Sequence, residues 1–318
     1  MWDWKRGFKK RKFKLGLALG GGAARGLAHL GVLRVLEEEG LRPDLIAGTS
    51  VGAIIGAMYA SDPRAEELVH KAKHYISTVL RHDARLRTLV RRRSSEEGFW
   101  DAVYDVLQKG WFIGKSLAKK SLISEAERDR WLQPLFDRSR IEDLSIPLVV
   151  LATDLVTGKA VVINKGDLFR AVSASVALPG IFPPVEAKGK ILVDGGMVCQ
   201  VPSGPVRAMG ADVVIAVDVS SPLDRTPSLE RGIEIMLRTH AVSRAALRDY
   251  QRYFADVFIV PDLGDLHWAD PYKVDEAIAK GEDATKKAMP KIIEAARFFK
   301  RKWRKLALPH IEYEWMEL

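Results

Sequence analysis

The chain has 318 residues, 47% apolar and 8% aromatic, with a net charge of +9, the composition of an ordinary globular protein able to bury a large core. A single cysteine, Cys199, excludes an internal disulfide framework and a thiolate metal site, and fits a reducing compartment. No apolar run reaches the roughly 20 residues that cross a bilayer and the N-terminus has no apolar signal core, so the expected product is cytoplasmic, with no metal and no cofactor.

The first segment, residues 1–12, interleaves Lys5, Arg6, Lys9, Lys10, Arg11 and Lys12 with Trp2, Trp4 and Phe8. This mixture suits the headgroup layer of an anionic membrane and predicts peripheral contact with its inner face. A solvated polar surface around core aromatics is the alternative reading. Arg91-Arg92-Arg93 and residues 298–305 repeat the basic character. No nucleic-acid recognition signature accompanies the charge, so no nucleic-acid partner is expected.

Lys14 to Leu19 reads as a short buried strand, followed by Gly20-Gly21-Gly22 and a helix from about Ala24 to Glu39 that Gly40 closes. A second strand, Asp44 to Ala47, leads into Gly48-Thr49-Ser50-Val51-Gly52 and an apolar helix from Ala53 to Ala60. Strand, glycine turn, helix, strand is the start of a βαβ unit. Residues 81–133 break the rhythm with basic and aromatic residues and no strong strand, and are read as a helical insertion, either a lid or a packed layer. Further strands are predicted at Ile146 to Ala152, Ala160 to Ile163, Lys190 to Val193, Val213 to Val217 and Val257 to Val260. From Val274 onward the reading is a basic helical appendage. The expected fold is α/β, with a mostly parallel sheet covered on both faces. The expected division is a segment 1–12, a domain 13–262 carrying the insertion, and a C-terminal appendage 263–318.

Ser50 between Gly48 and Gly52, at a strand-to-helix turn, is the sequence form of a nucleophile elbow. Acyl transfer through serine needs an activated hydroxyl, a proton acceptor and donors for the developing oxyanion. Residues Gly20 to Gly26 sit at the preceding strand-to-helix turn, where backbone N–H groups and the helix N-terminus favour negative charge. The same glycines could open a dinucleotide site, but Ala23 or Arg25 breaks GxGxxG in either frame, and Asp44 begins the second strand instead of ending it. The histidines after Asp194 are His240, His267 and His310, and none carries a motif. Asp194, which ends a buried strand before Gly195 and Gly196, lies where a parallel sheet presents active groups. Asp154, ending another strand, reads as a turn or hydrogen-bonding residue.

Four blocks together resemble the patatin-like phospholipases. They are Gly20 to Gly26 with Arg25; Gly48 to Gly52; Ser173-Ala174-Ser175-Val176-Ala177-Leu178-Pro179-Gly180-Ile181-Phe182-Pro183-Pro184-Val185; and Asp194-Gly195-Gly196. The resemblance runs from about Phe13 to Pro261 and implies a Rossmann-like three-layer α/β/α core. It implies a dyad of Ser50 as nucleophile and Asp194 as proton acceptor, which removes the need for a histidine. It further implies an oxyanion hole built from Gly20, Gly21, Gly22, Ala23 and Arg25, with phospholipids, lysophospholipids or acylglycerols as ester substrates. A non-catalytic lipid-binding or scaffolding protein with the same fold is the alternative. The chain departs from many members in carrying Ala23 for a fourth glycine, and Cys199-Gln200 for an asparagine pair.

Overall fold

The structure, a computed structural model, describes residues 13–80, 121–136, 139–221, 223, 229–230, 232–264, 266, 273–302 and 313–318. The basic segment 1–12, Arg91 to Arg93, residues 81–120 of the expected insertion, His267 and His310 lie outside the described residues.

Five apolar strands form the parallel centre of the sheet: β1 (Leu15–Leu19), β2 (Leu45–Thr49), β3 (Leu148–Asp154), β7 (Val213–Val217) and β8 (Val257–Ile259). β8 pairs β7, β7 pairs β1, β1 pairs β2 and β2 pairs β3, all in parallel. β4 (Ala160–Lys165) and β6 (Lys190–Asp194) both run antiparallel to β3, and β5 (Val185–Ala187) pairs β6. The last strand, β9 (Glu314–Glu317), lies parallel to β4.

Side-chain alternation splits the core in two. Leu15, Leu17, Leu19, Ile46, Leu148 and Val150 face one layer, while Ala18, Ala47, Val149, Leu151, Val214 and Ala216 face the other. The first layer is built by α1 (Ala28–Glu38), α2 (Val51–Ser61), α3 (Ala65–Tyr75), α5 (Leu168–Ser175) and the long α8 (Val274–Lys302). α6 (Ser203–Ala208) covers the second. The outcome is a mostly parallel sheet with helices on both sides. A short α4 (Glu125–Leu132) opens with a Ser124/Glu127 capping box, and α7 (Gly232–Gln251) follows β7.

Two features differ from the expected boundaries. The helix expected from Ala24 begins as a 3-10 turn, Ala23–Leu27, and becomes α1 only at Ala28. The C-terminal region is helical in α8, but it is built into the core. Val274, Ala277, Ile278, Ile292 and Ala296 of α8 are buried, and a Cβ on Gly31 would fall 2.0 Å from the Ile278 carbonyl oxygen. α1 and α8 therefore touch backbone to backbone. The final strand β9 then covers the β4 edge, which removes a row of unpaired peptide groups.

Candidate active site

The register of β3 places the two principal residues. Val150 and Leu151 pair with β2 on one edge and with β4 on the other. Ala152 and Thr153 pair with β4 and also with β6. β6 must therefore occupy the same edge of β3 as β2. The two strands are collinear and run toward each other, β2 ending at Thr49 opposite Leu151 and β6 ending at Asp194 opposite Ala152. Ser50, the next residue of the first, and Asp194, the last of the second, meet at this junction.

Ser50 sits at φ 55°, ψ −123°, a strained conformation that non-glycine residues adopt when the surroundings force it. The surroundings do so through close approach. A Cβ on Gly48 would fall 2.5 Å from the Gly52 carbonyl oxygen, and one on Gly52 would fall 2.1 Å from that of Leu19. The Ser50 N–H donates to the buried Ser175 hydroxyl at 2.9 Å, and the Thr49 hydroxyl donates to the Cys199 carbonyl at 2.9 Å. These two bonds tie the elbow to α5 and to the loop after Asp194.

Asp194 is 5% exposed. Its amide donates to the Ala177 carbonyl at 3.0 Å, and its Oδ1 accepts the Gly196 N–H at 2.7 Å. Burial pushes its carboxyl pKa up, while the adjacent Ser50 hydroxyl, the Gly196 N–H and the Arg244 charge act in the opposite direction. A carboxylate raised by desolvation is a better base than one in water.

The glycine loop lies against the nucleophile, since a Cβ on Gly21 would stand 3.3 Å from Ser50 Cβ. Within the loop the residues divide. The Gly20 N–H donates to the Val217 carbonyl and the Gly21 N–H to that of Gln200, each at 3.0 Å. Neither glycine is then a ready oxyanion donor, which corrects the expectation for both: they shape the loop. Among the described residues, the N–H groups of Gly22 and Ala23 donate to no backbone carbonyl, so the available donors narrow to this pair. Ala23 holds φ 49°, the left-handed region that a glycine would adopt without cost.

Arg25 also departs from its expected place at the hole. Its side chain is buried, and Nε donates to the Val219 carbonyl at 3.1 Å while Nη1 reaches those of Gly264 and Leu266 at 3.2 and 3.0 Å. The guanidinium laces three segments together beneath the loop. His29, fully buried, supports the loop from α1, its Nε2 lying 2.8 Å from the Gly20 carbonyl oxygen. A carbonyl only accepts, so Nε2 carries the proton. Burial lowers the imidazole pKa to about 4 against the opposing effect of that bond, so the ring is neutral at neutral pH.

Gln200 and Arg244, to which sequence reading assigned no role, close the far side. Gln200 Nε2 donates to the Gly21 carbonyl at 2.6 Å, and Arg244 Nε donates to that of Gly196 at 3.0 Å. Arg244 Nη2 donates to Gln200 Oε1. The signal for Ser175 was present in the third block, but for Arg244 there was none. Cys199 is buried with its thiol pKa raised to about 12 by desolvation, and so is no nucleophile at neutral pH. His240 lies on α7, its pKa lowered first by burial and then by Arg244. Asp154 is held by its own turn, accepting from Val156 N–H, Thr157 Oγ1, Lys190 Nζ and Ile191 N–H. Among the described residues no group of three or more His, Cys, Asp or Glu side chains is placed to hold a metal, and no helix is long and apolar enough to cross a membrane.

Residues 17–206, more than half of the chain, match the family model described as patatin-like phospholipase. The chain is similar to the lysophospholipase NTE1 of Saccharomyces cerevisiae, at 32% identity over 213 residues, covering 67% of this chain and 11% of that protein. It is 34% identical over 209 residues to the human patatin-like phospholipase domain-containing protein 6, covering 65% of this chain and 13% of the relative. The chain thus spans a small fraction of the length of both. Among solved structures, VipD from Legionella pneumophila aligns with TM-score 0.43 and 15% identity over 88% of this chain and 67% of its own. By the match of its sequence to the family model, the chain belongs to the patatin-like phospholipase family.

Proposed function

We propose that the chain is a serine hydrolase of lipid carboxylic esters, working through Ser50 and Asp194, with phospholipids, lysophospholipids or acylglycerols as the substrate class. The observation that carries this reading is a strained serine at the end of β2 facing a buried, proton-hungry carboxylate at the end of the collinear β6. Family membership and lysophospholipase-named relatives support the ester and the lipid.

In this mechanism Ser50 Oγ attacks the ester carbonyl as its proton passes to Asp194. The oxyanion is met by the N–H groups of Gly22 and Ala23 at the turn that opens toward α1. Collapse expels the alcohol, which takes the proton back from Asp194 and leaves an acyl group on Ser50. A water then attacks the acyl carbon as its proton passes to Asp194, and collapse returns that proton to Ser50 Oγ as the fatty acid leaves. The neutral, buried His29 holds the loop in place through its bond to the Gly20 carbonyl. Peripheral contact of the basic N-terminal segment with an anionic membrane remains part of the proposal.

The test is labelling by a fluorophosphonate probe together with hydrolysis of a short-chain p-nitrophenyl ester and a lysophospholipid. Wild-type chain is expected to label at Ser50 and to turn over both. Full activity in both Ser50→Ala and Asp194→Asn would defeat the mechanism. Binding to lipid vesicles without labelling or turnover would instead favour a scaffolding role.

A further inference from the structure

Five residues on three segments form one continuous strap across the site. The Gly196 N–H holds Asp194 Oδ1 at 2.7 Å, and the carbonyl of the same Gly196 receives Arg244 Nε at 3.0 Å. Arg244 Nη2 continues to Gln200 Oε1. The Gln200 amide then donates to the Gly21 carbonyl at 2.6 Å, and the Gln200 carbonyl accepts the Gly21 N–H at 3.0 Å. Gly21 is thus gripped on both sides of its peptide unit, immediately before the two donors assigned to the oxyanion. The path is compact: a Cβ on Gly196 would lie 2.7 Å from Gln200 Oε1, 2.9 Å from Asp194 Oδ1 and 3.5 Å from Arg244 Nη2.

From this geometry we infer that Arg244 is a positioning residue, coupling the turn that carries the proton acceptor to the loop that carries the oxyanion donors through Gln200. The inference rests on the proposed hydrolysis and deepens it. The planar fork reaches the Gly196 carbonyl and the Gln200 side-chain amide, four residues apart in the loop after Asp194, at once. The same fork brings a fixed cation close to Asp194, which favours its ionised form. Arg244 is itself desolvated, and its electrostatic surroundings are Asp194, Arg248 and Asp218. His240 lies one turn before it on α7 and Ser50 faces Asp194 from the elbow. Among these, Arg244 is the cation that acts on the acceptor.

The strap has two separable parts, charge and reach, and substitutions divide them. Arg244→Ala removes both. It is expected to lower kcat on the p-nitrophenyl ester by about 10²-fold, the scale of a misplaced reacting geometry, with KM little changed. Its acid limb in the kcat/KM profile is expected to move to higher pH, because Asp194 loses a stabilising cation. Arg244→Lys keeps the charge, so the limb returns toward its wild-type position while kcat stays low. Gln200→Met keeps Arg244 and removes the side-chain half of the grip on Gly21, so kcat falls with the limb unmoved.

Circular dichroism and the rate of fluorophosphonate labelling accompany each variant. If Arg244→Ala does not fold, the Arg244→Lys and Gln200→Met pair decides: a fall in kcat in both with the limb near its wild-type position supports the inference, and a kcat within about threefold of wild type in either overturns it. A kcat within about threefold of wild type, or a fall in kcat with no movement of the limb in Arg244→Ala, overturns the inference. A wild-type chain that neither labels nor turns over overturns the proposed function, and the inference with it.

Discussion

Asp154 and Asp194 stand at the ends of antiparallel partners, Asp154 opposite Leu192 on β6 and Asp194 opposite Ala152 on β3. Both are buried, at 0% and 5% exposure. Their chemistry is opposite. Desolvation pushes both carboxyls up, but Asp154 receives the Val156 and Ile191 N–H groups, the Thr157 hydroxyl and the Lys190 ammonium, which together hold it at about 2. Asp194 has the Gly196 N–H, the Ser50 hydroxyl and a more distant arginine, and its pKa stays raised. The lesson is that burial does not make a base. What separates Asp154 from Asp194 is how many donors surround each, and divergent pKa values on neighbouring carboxylates fit the division of roles proposed for the pair.

Substitutions break the comparison most sharply in activity. Asp194→Asn and Ser50→Ala are each expected to reduce kcat by at least about 10⁴-fold, the scale seen for members of a serine catalytic unit, whereas Asp154→Asn should leave ester hydrolysis within a few-fold of wild type. Comparable losses from both aspartates would erase the distinction.

Stability should respond in the reverse direction. Asp154→Ala removes the acceptor of the Val156 and Ile191 N–H groups and of the Thr157 hydroxyl, while Lys190 keeps Glu314, and is expected to cost at least about 2 kcal/mol in chemical denaturation. Because the folded pKa of Asp154 is depressed, its contribution is present above the unfolded value near 3.9 and is lost as pH falls toward 2. Asp194 has the opposite sign. Its folded pKa is raised, so its stabilising contribution is present below the unfolded value and is lost as pH rises through the folded one. At neutral pH the ionised carboxylate therefore opposes folding, and Asp194→Asn should raise Tm while abolishing turnover. A fall in Tm would show that Asp194 is a structural residue like Asp154.

The pH profile sharpens the same contrast. The acid limb of kcat/KM should lie above the ordinary aspartate value of about 3.9, since only ionised Asp194 can take the Ser50 proton. A limb at or below that value would place the acceptor elsewhere. The smallest effect concerns the loop. Ala23→Gly relieves a positive φ that costs about 1–2 kcal/mol for an alanine, partly offset by the greater chain entropy of glycine. A stabilisation of about 1 kcal/mol or less is expected, with the oxyanion donors preserved.

Much of the site was legible because it depends on residues with special backbone demands. Gly48, Ser50 and Gly52 announced a strained turn, Gly20 to Gly22 a close backbone approach, and Asp194-Gly195-Gly196 a carboxylate at a strand end. Arg25 was visible too, but its role was not. A basic residue beside a glycine loop suggests charge stabilisation, and only the positions of the Val219, Gly264 and Leu266 carbonyls reveal a structural brace. Gly20 and Gly21 were misjudged as donors for the same reason, since their acceptors lie on Val217 and Gln200, far along the chain.

By itself, then, the sequence determined the alternation of buried strands and helices and marked Ser50 and Asp194 as candidates, because apolar periodicity and glycine are local signals. Strand pairing and side-chain contacts between distant segments required the tertiary structure. It alone put β2 and β6 end to end on one edge of β3, drew β9 into the sheet, and set Arg244 across the site. It also decided which of two buried aspartates would be left short of donors, since that depends on register and packing between residues far apart in the chain.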